Sequence, residues 1–386
     1  AALGSIYGGI TNGTGAAKDN TATISGSITA NDVVGGQSVT GNAEGNKANF
    51  TQAMATNVRG ARITGSGAGN AVSNEAKIEG GTVTAAMAAE IQNGSATGAV
   101  QDNTLTVTGG TVNGDSVGGI TYGTGDAIHN GVVVSGSSTN LSNVYGGSAS
   151  SGSATKNYVT FADASAQSIT AGRTGGAGDV SDNKVEIKGG TVSGNILGGQ
   201  NTGTGAASSN TVELTGGTIN AAVYGGLANG AADDNTVTVK TNVNNSIVGG
   251  RGASASGNTV DLVGTVTVSG SVVGGQGSTA NNNTVNLDAA SVSGAVTGGL
   301  GSATSNNTVN MNGSTTGVIT VGSAGGTGNT LTVSGTNRAG NITGFQKAKF
   351  DLATASTTNP MLDITNGWGT SFDWGALEVS NAEQPN

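Results

Sequence analysis

The most regular pattern along the chain is a short phrase in which an asparagine is followed by apolar residues at its second and fourth positions. In the copy that begins at Asn183, these residues are Val185 and Ile187, and Glu186 lies between them. Both positions are apolar in all thirteen copies, whereas the residue between them varies freely. Alternation with a period of two is typical of a strand with one buried face and one solvated face.

The phrase recurs at a nearly constant spacing. Successive asparagines are 22 to 29 residues apart, with a mean near 26. The thirteen positions are Asn20, Asn46, Asn74, Asn103, Asn130, Asn157, Asn183, Asn210, Asn235, Asn258, Asn283, Asn307 and Asn329. Self-similarity at a fixed period is the signature of a repeat architecture.

A second strand follows in each repeat, between two glycine pairs. In the copy "TVSGNI", Val192, Gly194 and Ile196 share one face. We predict that both glycine pairs form corners, and that the variable stretch after the second pair is a loop or third side. Because Ala88-Ala89 replaces one pair and residues 171–176 read "AGRTGG", we expect irregular coils around 50–100 and 160–180.

Strand, turn, strand, turn and loop describe one coil of an all-β, parallel β-solenoid, with about 13 coils in the chain. Asparagines at the same corner of every coil can stack and hydrogen-bond along the axis, so we interpret them as a structural ladder that carries no chemistry. The members of that ladder that we single out are Asn183, Asn210, Asn235, Asn258, Asn283 and Asn307.

The C-terminal segment departs from this pattern. After Asn329 the repeat is expected to stop, and both tryptophans of the chain lie within residues 367–381. An open solenoid end exposes unpaired strand edges, which must be covered to prevent aggregation. We therefore predict solenoid repeats over residues 1–338 and an aromatic capping segment over residues 339–386.

Composition narrows the classes of protein. The 386 residues include 71 glycines without a Gly-X-Y period, which excludes collagen, and no cysteine, which excludes a disulfide scaffold. Low proline content and alternating Val and Ile argue against disorder. A net charge of −9 argues against a nucleic-acid partner. No apolar run is long enough for a transmembrane helix, and no signal peptide is visible, so we expect that an upstream segment was removed or left out.

Candidate catalytic residues are sparse. The single histidine, His129, lies in a loop and is expected to be solvated. Glu186 and Glu213 occupy the same outward column in consecutive coils, a spacing that glycosidases use, but an acidic surface produces such pairs by chance. Asp233-Asp234 is a further acidic site, and "GGAGD" at 175–179 is an isolated, shortened match to a calcium-binding repeat. We predict no enzyme activity, no metal site and no cofactor.

Three tyrosines share a position just before a glycine pair, namely Tyr7, Tyr145 and Tyr224. The neighbouring residue in each copy is the apolar one, so we expect the tyrosines to face outward. Exposed tyrosine can stack on sugars or support self-association, whereas a role as plain surface residues is the alternative. These three residues are the candidate surface contacts.

The C-terminal phrase carries a resemblance to a known family. Ile342-Thr343-Gly344-Phe345, Phe350-Asp351-Leu352 and Met361-Leu362, after glycine-pair repeats, resemble the passenger domains of bacterial type V autotransporters. The resemblance implies a right-handed β-helix that is exported through the outer membrane and then displayed at the cell surface or released. The absence of cysteine fits export in an unfolded state.

The expected function is therefore that of a secreted or surface-displayed adhesin or aggregation factor that works through its elongated solenoid surface. Its expected partners are a host or neighbouring-cell protein or glycan, or another copy of the chain, without membrane insertion of this segment. The alternative is a structural subunit of an extracellular fibre built by stacking or lateral packing of solenoids.

Overall fold

The structure is a computed structural model that describes residues 2–323, 326–366 and 377–380. The chain is a parallel β-solenoid of about 14 turns with a spacing of about 26 residues, which confirms the predicted fold class. It divides into two compact units, Ala1–Asn210 and Thr211–Asn386, and each is described by itself.

The first unit contains the strands β1 to β23. Their bounds are β1 Ile6–Thr11, β2 Ala17–Lys18, β3 Thr21–Ser25, β4 Thr29–Ser38, β5 Ala43–Glu44, β6 Lys47–Thr51, β7 Ala53–Ile63, β8 Ala71–Val72, β9 Glu75–Ile91, β10 Val100–Gln101, β11 Thr104–Val112, β12 Ser116–Thr121, β13 Ala127–Ile128, β14 Gly131–Val134, β15 Asn140–Ala149, β16 Ala154–Thr155, β17 Tyr158–Phe161, β18 Ser165–Thr174, β19 Val180–Ser181, β20 Lys184–Ile187, β21 Thr191–Val192, β22 Ile196–Asn201 and β23 Ala207–Ser208.

The second unit contains the strands β24 to β41 and one 3₁₀ turn, Leu352–Thr354. The bounds are β24 Thr211–Leu214, β25 Thr218–Ile219, β26 Val223–Ala228, β27 Thr236–Val239, β28 Ile247–Arg251, β29 Thr259–Leu262, β30 Thr267–Val268, β31 Val272–Gln276, β32 Thr284–Asp288, β33 Ser291–Val292, β34 Val296–Leu300, β35 Thr308–Asn312, β36 Thr315–Thr320, β37 Thr330–Ser334, β38 Asn337–Thr343, β39 Lys347–Asp351, β40 Leu362–Ile364 and β41 Leu377–Ser380.

One coil of the first unit illustrates how the sequence pattern becomes structure. After Asn183 the chain forms β20, turns, forms β21 and β22, and returns through β23. The inward side chains of this coil are fully buried, and they are Val185, Ile187, Val192 and Ile196. Each coil is too thin to bury these side chains alone, so the core forms only by stacking coils in register.

The asparagines form continuous hydrogen-bonded ladders within each unit. The Asn183 side chain shows the repeating geometry: its Nδ2 donates to Asn210 Oδ1 at 2.9 Å and to the Ala154 carbonyl at 2.9 Å, and its backbone N–H donates to the same Oδ1 at 3.2 Å. Asn235, Asn258, Asn283 and Asn307 repeat the Nδ2-to-Oδ1 step in the second unit. These amides are fully buried, and their hydrogen bonds offset the cost of removing them from water.

The first glycine pair of a coil forms a corner, as predicted. Gly190 has φ +86°, a left-handed conformation that glycine adopts without steric cost, and the equivalent corner holds Asp163 at φ 53°. A further corner lies just before each ladder asparagine, where Asp182 has φ 58°. Asx residues tolerate this conformation better than other side chains do, which explains why they recur there.

The prediction that the second glycine pair also forms a corner was wrong. Gly198 and Gly199 lie inside strand β22, are buried and have no left-handed φ. A Cβ built on Gly199 would come within 2.5 Å of the Asn210 amide nitrogen. These glycines therefore provide room for the ladder asparagine and the neighbouring backbone rather than a turn.

The expected irregular coils are mostly absent. Ala88 and Ala89 are fully buried inside strand β9, and β9 pairs with its neighbours through this segment. Strand β18 likewise pairs in parallel with β15 across residues 165–174 and with β22 across residues 169–174. The pair lies in a strand that needs no left-handed residue, and the adjacent ladder asparagine, Asn103, keeps its hydrogen bond to Asn130, so the small alanine side chains are accommodated at this site. A register shift does occur near Gly109, where β11 pairs with β9.

Parallel pairing continues past Asn329. Strand β38 pairs with β36 and β40, and β39 pairs with β37 and β41. Gln346 Oε1 accepts the Asn329 backbone N–H at 3.0 Å, so a glutamine continues the role of the ladder side chain. The aromatic cap remains a prediction, because both tryptophans, Trp368 and Trp374, lie outside the described residues.

Candidate functional site

The candidate site is the outer surface of the strands that carry the second glycine pair. The residue before each pair and the residue after it form two axial columns, which we call the pre-glycine and post-glycine columns. In the first unit the pre-glycine column is Tyr7, Val34, Arg59, Met87, Val117, Tyr145, Thr170 and Leu197. The post-glycine column of that unit is Ile10, Gln37, Arg62, Glu90, Ile120, Ser148, Arg173 and Gln200. In the second unit the pre-glycine column is Tyr224, Val248, Val273 and Thr297, and the post-glycine column is Leu227, Arg251, Gln276 and Leu300.

The two columns of each unit, together with the two residues that follow each post-glycine residue, form an outer surface with shallow depressions, which we call the glycine groove. Side chains from both columns pack on each other there, as in the cluster of Met87, Val117, Ile120 and Tyr145. The pair itself contributes no side chain, so residues on either side of it approach closely. The groove is therefore a second, outer packing region, separate from the core inside the coil.

Tyr7 is only partly exposed. Its hydroxyl accepts a hydrogen bond from Arg62 Nη2 at 2.8 Å, and the Arg62 guanidinium carbon lies 5.7 Å from the ring centroid. Arg62 belongs to a coil two turns further along. The tyrosine is thus tied into an arginine contact.

Tyr145 is not the exposed contact that we expected, because it is only 9% exposed. The guanidinium carbon of Arg173 lies 4.1 Å from its ring centroid, an approach typical of a cation–π contact. Burial raises the pKa of the Tyr145 hydroxyl, and the charge of Arg173 opposes that shift. The ring supports Arg173, which is itself half-buried and is the more exposed of the two side chains.

Tyr224 is half-buried in the second unit and lies one coil before Arg251. Arg251 is exposed, and within the described residues no carboxylate lies at ion-pair distance from it. A groove of about 710 Å³ runs beside Leu227, Arg251, Gln276 and Leu300. The second unit thus repeats the combination of a pre-glycine tyrosine and a post-glycine arginine.

A buried charge network occupies the N-terminal part of the groove. Arg59 pairs with Glu90 and, at 2.9 Å, with Asp32, whereas Arg62 reaches Asp32 at 3.3 Å and Gln37 at 2.9 Å. Burial alone would raise the pKa of the Asp32 carboxyl, but a hydrogen bond from Asn57 and the two arginine charges outweigh it and lower the pKa. Here the guanidinium groups are committed to internal partners.

The acidic residues singled out from the sequence have structural partners. Asp233 Oδ1 accepts the Ser256 backbone N–H at 2.7 Å, and Asp179 Oδ1 accepts that of Ala206 at 2.9 Å. Asp234, at φ 58°, lies at the left-handed corner. Glu186 pairs with Lys188 at 3.2 Å, and Glu213 pairs with Lys240 at 3.7 Å. Apart from Asp234, each of these acidic side chains therefore has a hydrogen-bond or ion-pair partner.

His129 has partners rather than being only solvated. Its Nδ1 lies 2.7 Å from Asp102 Oδ1, and its ring centroid is 5.9 Å from that of Tyr158. A Cβ on Gly131 would come within 2.0 Å of the Tyr158 ring, so this glycine makes room for the ring. The His129 side chain is 60% exposed.

Sequence reasoning missed the arginines. Arg62, Arg173 and Arg251 all follow a second glycine pair or its substitute, and each has a pre-glycine tyrosine one or two coils earlier. The signal in the sequence is the residue that follows each second glycine pair or its substitute, which is an arginine in these three coils.

Across residues 2–323, 326–366 and 377–380 there is no group of three or more His, Cys, Asp or Glu side chains able to hold a metal ion. The same residues contain no helix of sufficient length and apolar character to span a membrane. No protein-family model, curated protein or solved structure matches the chain. The fold defines its class as a parallel β-solenoid repeat protein.

Proposed function

We propose that the chain is the passenger domain of a bacterial autotransporter and works as an adhesin or aggregation factor at the cell surface. The observation that carries the proposal is the contrast between constant and variable columns within one chain. The ladder asparagine, the inward apolar positions and most second glycine pairs repeat from coil to coil, whereas the residues of the pre-glycine and post-glycine columns differ.

The variable columns favour a binding surface over an active site. Tyrosine, arginine, glutamine and leucine in the groove are residue types that recognise partners through stacking, charge and hydrogen bonds. The candidate acidic residues, by contrast, cap backbone N–H groups or form ion pairs. Contacts spread along a groove suit a host or neighbouring-cell protein or glycan, or a second copy of the chain, and require no cofactor.

The passenger assignment rests on the C-terminal phrase. Ile342, Phe345, Phe350 and Leu362 belong to the segment that resembles the end of autotransporter passengers. Complete absence of cysteine suits export across a periplasm that forms disulfides. From these features we infer an extracellular or cell-surface location.

Adhesion of coated beads tests the proposal. Beads carrying the full chain should cluster with one another or adhere to epithelial or bacterial cells, whereas beads carrying albumin should not. Equal behaviour of the two bead types would contradict the adhesin role. Negative-stain microscopy of the same preparation separates the fibre alternative, because long filaments instead of discrete particles would support a structural subunit.

A further inference from the structure

A pocket of about 330 Å³ lies in the glycine groove of the first unit. Its walls include Tyr122 at one end and Arg173 two coils further along, a separation of roughly 10 Å along the axis. The coil between them contributes only the small residues Ser148, Ala149 and Ser150 to the lining. The pocket therefore exists because two large side chains flank a coil without any.

Arg173 is held in place by internal contacts. Its guanidinium lies over Tyr145 at 4.1 Å, and its Nε donates to Ser148 Oγ at 3.4 Å. No carboxylate of the described residues lies within 4.0 Å of it, in contrast to Arg59 and Arg62 in the same groove. The planar guanidinium group of Arg173 is thus pre-organised and retains N–H donors for a ligand. Its geometry is suited to a carboxylate.

The other walls suit a sugar. Tyr122 is 44% exposed and presents an aromatic ring, which can pack against the C–H face of a pyranose. The Gln200 side chain is partly exposed in the post-glycine column next to Arg173, and its amide can exchange hydrogen bonds with hydroxyl groups. A few convergent polar groups beside an aromatic surface are typical of small-ligand sites of this volume.

We propose that this pocket binds one carboxylated monosaccharide unit of an acidic glycan, such as a uronic or sialic acid. Arg173 holds the carboxylate, Tyr122 packs on the sugar ring and Gln200 contacts a hydroxyl, whereas Tyr145 acts as a positioning residue beneath Arg173. The proposal rests on the proposed adhesin function, for which it names the ligand class. An acidic peptide would offer the carboxylate but no pyranose face for Tyr122.

Titration of the full chain tests the proposal. Glucuronic acid and N-acetylneuraminic acid are compared with neutral glucose and N-acetylglucosamine by saturation-transfer NMR and calorimetry. We expect the two acids to bind and the neutral sugars to bind at least about tenfold more weakly, since a charge-assisted bidentate contact is lost.

Variants locate the site. Arg173→Gln and Tyr122→Ala should each weaken acid binding about tenfold or more, and Arg173→Lys should weaken it less than Arg173→Gln. Tyr145→Phe, which keeps the stacking ring, should retain binding, whereas Tyr145→Leu should weaken it. Arg338→Gln, which removes an exposed arginine paired with Asp363, is the matched control and should leave affinity unchanged. Denaturant midpoints confirm that each variant is folded.

The proposal is overturned if neither acid binds, if neutral sugars bind as well, or if Arg173→Gln binds like the parent chain. It is also overturned if a glutamate-rich peptide binds Arg173 more tightly than the sugars do. Adhesion of coated beads without acid-sugar binding would reject this inference but leave the adhesin function intact. Sugar binding without adhesion would reject the adhesin function alone.

Discussion

The guanidinium carbon of Arg173 lies 4.1 Å from the ring centroid of Tyr145, which belongs to the preceding coil. The contact joins the pre-glycine and post-glycine columns of the glycine groove. It explains why a tyrosine that faces away from the core is nevertheless buried, and it leaves the arginine as the more exposed, half-buried partner. The groove is thus built from pairs of side chains on different coils.

Tyr145 and Arg173 should be energetically coupled in the folded chain. We expect the double-mutant cycle of Tyr145→Leu and Arg173→Leu to show about 0.5–1 kcal/mol of favourable interaction, typical of a partly exposed cation–π pair. The free energies of unfolding come from urea denaturation monitored by circular dichroism. If the two single-mutant changes in unfolding free energy sum to the double-mutant change within about 0.3 kcal/mol, the two residues are not coupled.

Removing a ladder amide should destabilise the first unit. Asn157→Ala deletes the acceptor of the Asn130 side chain and backbone N–H, at 3.0 Å and 2.9 Å, inside the buried ladder. Donors left unsatisfied in the interior cost about 1–3 kcal/mol each. The urea midpoint should fall clearly. Asn195→Ala, which changes an exposed side chain, is the control, and an equal loss in both variants would contradict the ladder's role.

Two glycines with positive φ allow the cost of backbone strain to be measured separately from the cost of a steric clash. Gly264 has φ +78° and no atom within 4 Å of an added Cβ, so Gly264→Ala should cost only about 1–2 kcal/mol. Gly190 has φ +86°, and an added Cβ would lie 2.2 Å from the Ala164 carbonyl oxygen. Gly190→Ala should therefore lower the thermal midpoint further than Gly264→Ala. A similar fall of the thermal midpoint in both variants would indicate that the backbone at the Gly190 corner can shift away from the Ala164 carbonyl.

The sequence predicted the positions that are determined by side-chain periodicity. It did not predict those that are determined by close contacts of the backbone. Val185 and Ile187 were placed inward correctly, because alternation alone sorts the two faces of a strand. Gly199 was misplaced at a corner, because glycine is needed both where φ is positive and where another group approaches closely. Only the position of Asn210 against Gly199 distinguishes the two reasons.

Acid should weaken the buried charge network. The pKa of Asp32 is lowered in the folded chain, so its stabilising contribution is present above its usual value of 3.8 and is lost as pH falls through the lower folded value. Asp32→Asn should therefore be less stable than the parent chain near neutral pH, and the difference should shrink toward about pH 2–3. Thermal midpoints across pH measure it.

The control for this pH dependence is Asp363→Asn, whose ion pair with Arg338 is more than half exposed. Exposed pairs contribute little, so this variant should follow the parent chain at every pH. A constant difference between the parent chain and Asp32→Asn from neutral to acidic pH would contradict the role assigned to Asp32.

The candidate site was predicted only in part. The column of Tyr7, Tyr145 and Tyr224 was recognised from its position before the glycine pair. Burial of Tyr145 could not be predicted, because its partner Arg173 lies in the next coil and on the other side of the pair. Residues far apart in sequence meet there only once the register between coils is known.

The central claim is that the glycine groove is the binding surface, and adhesion of coated beads by groove variants tests it most directly. Arg173→Gln/Arg251→Gln removes two groove arginines, whereas Lys188→Gln/Lys349→Gln removes the same charge from exposed positions outside the groove. Under this account the arginine variant loses most adhesion and the lysine variant retains it. Equal adhesion by the two variants would contradict the account.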